Sequence, residues 1–205
     1  MSSGNLSKPG KRRKRSELKT LLTLIMLKLT GPIGRYRLKE MLGLSDQEGL
    51  VRLMLADLKN EHLVKTSKAG CELTQKGERH LEEALKRHGI VDIKEMSMKL
   101  LKTASESFVF HCRGLSMPVS VTALRDVAVR YGSSGAVLIQ YDHGILAVPG
   151  VYPNLEEEYP SVSADLHQVL NLSDGDTILV SFSEDKWRAL EGGLSMAIHL
   201  AGGLS

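Results

Sequence analysis

Between Leu18 and Arg87 the chain alternates apolar helical spacing with glycine-bearing breaks, in an order that few folds can satisfy. From Glu17 to Leu29, residues Leu21, Leu22, Leu24, Ile25, Leu27 and Leu29 cover a wide face, which predicts a largely buried helix. A break rich in glycine follows, then a short helix over Arg35 to Leu42, the turn Gly43-Leu44-Ser45-Asp46, and a longer helix over Gln47 to Asn60. Gly43 suits a left-handed residue that ends the second helix, and Ser45 or Asp46 is placed to cap the third. Leu63-Val64-Lys65-Thr66 and Cys71-Glu72-Leu73-Thr74 read as strands joined by Ser67-Lys68-Ala69-Gly70, after which Gln75-Lys76-Gly77 opens a closing helix.

Helix, tight turn and helix form a DNA-reading unit, and the hairpin behind it is placed as a wing. The run Leu58-x-x-Glu61-x-Leu63-Val64, the short basic hairpin and Leu73-Thr74-x-x-Gly77 resemble the winged helix-turn-helix of small bacterial and archaeal transcription regulators. The chain as a whole also resembles an uncharacterised archaeal family of similar length, a likeness that carries no residue roles. The winged-helix resemblance covers residues 1–88 and implies duplex DNA as the partner; winged helices that dock on proteins instead are the alternative.

Charge divides the chain in the same place. Residues 1–88 hold 19 Lys and Arg against 10 Asp and Glu, a net of +9, whereas residues 89–205 carry a net of −6. The first part is therefore expected to meet a polyanion and the second is not. Lys11, Arg12, Arg13, Lys14 and Arg15 concentrate five cations in a stretch, residues 1–15, that reads as a disordered arm. A solvated tail is the plainer reading; an arm along the phosphate backbone is preferred because it abuts the reading unit.

Within that unit, residues 16–88, the third helix is expected to turn Leu50, Val51, Met54, Leu55 and Leu58 inward and Gln47, Glu48, Arg52, Ala56 and Lys59 outward. Gln47 and Arg52 have the chemistry to bond adenine and guanine edges. Glu48 can instead pair with Arg52 one turn on, and Gly49, a poor helix residue by ~1 kcal/mol, permits a close approach by phosphate or by a neighbouring helix. Arg35 and Arg37 at the second helix, Lys59 at the end of the third and Lys68 in the wing complete the candidate DNA contacts.

Ile93, Met96, Leu100, Leu101 and Ala104 repeat at helical spacing and predict a linker helix over 89–106. Beyond it, strands over Ser107 to Arg113, Ala136 to Tyr141, Ile145 to Val148 and Thr177 to Phe182 alternate with helices over Val119 to Tyr131 and Pro160 to Leu170. The order βαββαβ predicts a ferredoxin-like domain over 107–205 with an extra C-terminal helix from Glu184 to Leu200. The chain is thus expected to be α+β, with a homodimerising or effector-binding second half whose ligand contacts would fall near Tyr131 to Ser134 and Asp142 to Gly144. Glu156-Glu157-Glu158 reads as a solvated loop.

Other chemistry finds little support. No apolar run reaches the ~18 to 20 residues of a membrane span and no signal peptide is visible, so a cytoplasmic protein is expected. Cys71 and Cys112 are read as strand residues that are buried or half-buried. His111 and Cys112, taken with His143, His167 or His199, match no zinc or copper spacing, and strand neighbours point to opposite faces, so neither metal nor cofactor is expected. No nucleophile-base-acid spacing stands out, and an enzyme is not expected.

Overall fold

The computed structural model describes residues 9–96, 106–116 and 120–203, with side chains from Glu17 onward. The chain forms two compact units that meet in sequence between Ala84 and Leu85.

The first unit opens with α1 (Pro9–Thr30), in which every residue from Leu21 to Leu27 is buried. The helix begins eight residues earlier than the apolar pattern suggests and takes in Lys11 to Arg15, so these cations are helical rather than part of a disordered arm. Pro9 is pre-set for a helix start, and Lys and Arg are good helix formers once a core helix follows them. Residues 1–8 lie outside the described residues. The polar side chains on the buried part of α1 are satisfied: Lys19 donates to the Leu42 carbonyl at 2.7 Å and Thr23 to the Lys19 carbonyl at 2.8 Å.

Next come α2 (Arg35–Met41) and α3 (Glu48–Asn60), separated by a turn in which Gly43 takes φ +61° as its position requires. Neither Ser45 nor Asp46 caps α3; the cap position falls to Gln47, which makes no side-chain cap hydrogen bond. The hairpin of β1 (Val64–Ser67) and β2 (Gly70–Leu73) pairs Ser67 with Gly70 across a two-residue turn, Lys68-Ala69. Ile33 and Cys71 exchange backbone hydrogen bonds of 2.9 and 2.8 Å on the far side of β2, and a Cβ on Gly70 would stand 2.5 Å from the Ile33 carbonyl carbon. Glycine is required there because backbone meets backbone. The amphipathic helix α4 (Gln75–Arg87) closes the unit with Leu81 and Ala84 inward.

The second unit corrects three expectations. Residues 90–95 form a strand, β3 (Ile90–Glu95), and not the start of a linker helix; residues 97–105 lie outside the described residues. β3 pairs antiparallel with β4 (Glu106–Cys112), from Ile90 opposite Cys112 to Glu95 opposite Phe108. Thereafter come α5 (Val121–Arg130), β5 (Gly135–Asp142), β6 (Ile145–Ala147), α6 (Leu155–Glu158), α7 (Pro160–Val169), β7 (Asp176–Ser183) and α8 (Lys186–Leu200). Glu156, Glu157 and Glu158, expected in a loop, occupy the short helix α6, which Asn154 caps.

The five-stranded sheet is antiparallel throughout, in the order β3-β4-β7-β5-β6. This is not the ferredoxin-like order, in which the second strand of the β5-β6 hairpin would lie beside β4. Here β7 takes that place, between two strands that α5 connects, and β6 is left at the edge. The reason lies in the residues: Ile178, Leu179 and Val180 are all buried and need cover on both faces, whereas β6 is three residues long with Ile145 exposed.

Alternation along the strands divides the core. Val109, Ile139, Ile178 and Val180 pack with Leu155 of α6 and Val162 and Leu166 of α7. Phe108, Phe110, Leu138 and Leu179 have the opposite parity and are covered by α5 and α8. α8 lies close because Gly193 faces the Phe110 ring and the Ser181 hydroxyl where a Cβ would collide. Among the described residues no helix is long and apolar enough to cross a membrane.

Candidate functional site

The side chains with chemistry to offer fall into two groups, one in each unit. In the first unit, the inward line of α3 is Val51, Met54 and Leu58, which places Arg52 and Lys59 on exposed positions as the spacing predicts; Gln47, just before the helix, is exposed too. Leu50 does not turn inward: it is 44% exposed, and Leu53 is 60% exposed. One residue step on a helix is about 100°, so a helix with Val51 at the centre of its buried face carries Leu50 to the rim. The outer face of α3 is accordingly both cationic and apolar.

Arg35 and Arg52 do not stand alone. Glu48 Oε1 lies 3.1 Å from Arg35 Nη2 and 3.4 Å from Arg52 Nη2, so one carboxylate serves two guanidinium groups from different helices. Arg35 also donates from Nη2 to the Tyr36 hydroxyl at 3.4 Å and lies over the Tyr36 ring, 5.1 Å from its centroid. Its Nε is, among the described residues, the one buried side-chain nitrogen or oxygen without a hydrogen-bond partner. Arg37, Lys59 and Lys68 are exposed, Lys68 at the tip of the hairpin. The backbone of Lys11, Arg12, Arg13, Lys14 and Arg15 follows the first turns of α1.

In the second unit a charge cluster lies under α7. His111 on β4 and Asp176 at the start of β7 share one face of the sheet, and His111 Nε2 is 2.6 Å from Asp176 Oδ2 with both side chains at most 2% exposed. Arg113, two residues along β4, donates from Nε to Asp176 Oδ1 at 2.8 Å and from Nη2 to Oδ2 at 2.9 Å. The Ser173 backbone N–H adds a further bond at 2.8 Å, and Arg113 also holds the Asn171 carbonyl and the Ser173 hydroxyl. Burial alone would raise the Asp176 carboxyl; the hydrogen bonds from Arg113, His111 and Ser173, with the His111 charge, outweigh it and hold the group down at about 2. An imidazole so enclosed reaches no substrate from solvent. The cluster ties β4, β7 and the segment before β7 together.

The thiols are equally withdrawn. Both cysteines are buried, as their strand positions suggest, and burial, with the nearby Asp176 charge, pushes Cys112 up to about 12. Cys112 and His111 point to opposite faces of β4, as adjacent strand residues must. His143, one of the residues considered beside them, sits instead in the β5-β6 turn at φ +48°, in loose ion pairs with Asp142 at 3.9 Å and Asp174 at 3.7 Å, all three exposed. His167 packs edge-on against Tyr141, with ring centroids 5.6 Å apart.

Of the residues expected to act together, the structure brings Arg35 and Arg52 to one carboxylate and leaves Gln47, Arg37, Lys59 and Lys68 exposed. The Asp176 cluster was not among the sequence candidates. Its one legible signal is alternation, which puts His111 and Arg113 on the same strand face.

Comparison with known proteins adds fold and little chemistry. Residues 105–200, from the approach to β4 to the end of α8, match a family described as a domain of unknown function, DUF4443. A solved structure of a hypothetical protein from Pyrococcus horikoshii OT3 superposes with a TM-score of 0.70 at 23% identity, covering 89% of this chain and 91% of that one. No curated protein matches.

Proposed function

We propose that the first unit is a winged helix-turn-helix that binds duplex DNA, and that the second unit regulates it as a dimerisation or effector domain. One observation carries the reading: α3 follows a tight turn, precedes a two-residue basic hairpin, and presents Arg52 and Lys59 on the face opposite its core line. The net +9 of residues 1–88 supports the same partner. Selection of duplexes from a random pool by the full chain, followed by affinity measurements across salt, tests it. The expected result is a preferred sequence and a log-log salt slope of about 0.9 per neutralised phosphate. Salt-insensitive binding, or none at low salt, overturns it.

Leu50 and Leu53 favour a second reading, in which α3 docks on a protein partner. Leu53→Gln discriminates without adding charge: it should leave the non-specific DNA component nearly intact but abolish attachment to a protein. The regulatory assignment rests on the separate core of the second unit and its net −6. If sedimentation finds a monomer at every concentration and no small molecule shifts the melting temperature, that assignment falls.

A further inference from the structure

We propose that Arg35, Glu48 and Arg52 form an exchangeable charge latch, in which Glu48 suppresses sequence-independent attachment to the DNA backbone and thereby sets specificity. The inference rests on the DNA-binding reading and adds a role for an acidic residue on the face of α3 that would meet a polyanion.

Glu48 Oε1 is shared between Arg35 Nη2 at 3.1 Å and Arg52 Nη2 at 3.4 Å, so two guanidinium groups and one carboxylate present a single net charge. The grip is incomplete. Arg35 Nε is buried without a partner, so the carboxylate at 3.1 Å from Nη2 does not use the paired Nε and Nη donors that an arginine offers a fork-shaped acceptor. Nε itself is out of solvent, so a phosphate meets Arg35 through the terminal Nη nitrogens of a side chain that is 36% exposed. Ion pairs as exposed as these, with Glu48 at 39% and Arg52 at 67% of their side-chain surface, contribute little and exchange readily.

Phosphate therefore displaces Glu48 from Arg35, and the released carboxylate faces the DNA with Arg52 alone. On an arbitrary sequence this carboxylate is repelled by the backbone and weakens binding. Where the duplex offers a donor, such as the N4 amine of cytosine, Glu48 is satisfied and the penalty disappears. Arg52, one helical turn from Glu48, is then held by it toward the adjacent base pair.

The test is Glu48→Gln in the full-length protein, which keeps the shape and removes the charge, measured on a non-specific duplex and on the selected one across salt. The latch requires a several-fold gain on the non-specific duplex at low salt, a slope steeper by up to about 0.9 because the carboxylate no longer offsets one of the two arginines, and a smaller ratio between preferred and non-specific sites. In an Arg35→Ala background the same substitution should change the non-specific affinity far less. A wild-type chain that binds DNA while Glu48→Gln leaves non-specific affinity and slope unaltered overturns the latch alone. If the wild-type chain binds no duplex, latch and DNA reading fall together.

Discussion

Burying the Asp176 carboxylate beside His111 takes a charge out of water, and only the donors of Arg113, His111 and Ser173 make that tolerable. Because its folded value of about 2 lies below the ordinary 3.8, the group contributes stability that is complete above pH ~4 and is lost as pH falls through ~2. The shift corresponds to something on the order of 2 kcal/mol. Asp176→Asn should flatten acid unfolding in this range and cost about 3 kcal/mol at neutral pH, since the charge is lost and one of the two oxygens that accept from His111 and Arg113 becomes an NH2 donor; urea unfolding between pH 2 and 7 reads both effects. A mutant with wild-type stability at pH 7 would mean that the cluster is dispensable. Gly193→Ala tests packing in the same unit: the new methyl meets the Phe110 ring and Ser181, and a loss of about 1 to 3 kcal/mol is expected from thermal melts.

At the scale of elements, α3 and the hairpin make separable predictions. Arg52→Ala should cost about 1 to 3 kcal/mol on a selected site and relax preference at one base pair, whereas Lys68→Ala should weaken all duplexes alike. A selection profile unchanged by Arg52→Ala would remove that residue from base reading. These elements were legible because their signals are local: helical spacing in α3, a glycine at φ +61° before it, and a two-residue turn between alternating strands. β3 was not legible, because Ile90, Ile93 and Met96 repeat every three residues, a helical spacing rather than strand alternation, and the strand is chosen by pairing with β4. The Asp176 cluster was hidden for a related reason: its partners His111 and Arg113 lie 65 and 63 residues away, and alternation shows only that those two share a strand face. Leu50 is apolar yet lies about 100° around the helix from Val51, more than a quarter of a turn, so a core line of Val51, Met54 and Leu58 leaves it outside.

At the scale of the whole molecule, the two halves differ in charge as they differ in architecture, with a net +9 through residue 88 and −6 beyond it. If the proposed control is exerted through dimerisation, the preferred DNA should be a palindrome with half-sites one helical turn apart, ~34 to 36 Å, and sedimentation should find a dimer. The topology of the second unit has a consequence for how it is made. Because β7 separates β4 from β5, the growing chain holds only two detached strand pairs, β3-β4 and β5-β6, until residues 176–183 have left the ribosome. Two-stranded pairs are marginal in water, so a chain stopped at Gly175 should lose the melting transition of the second unit while keeping that of the first, and should be cut rapidly by protease beyond Arg87. Translation must pass β7 before the sheet can exist, and until then Val109, Ile139 and Phe110 are exposed to whatever waits at the tunnel mouth.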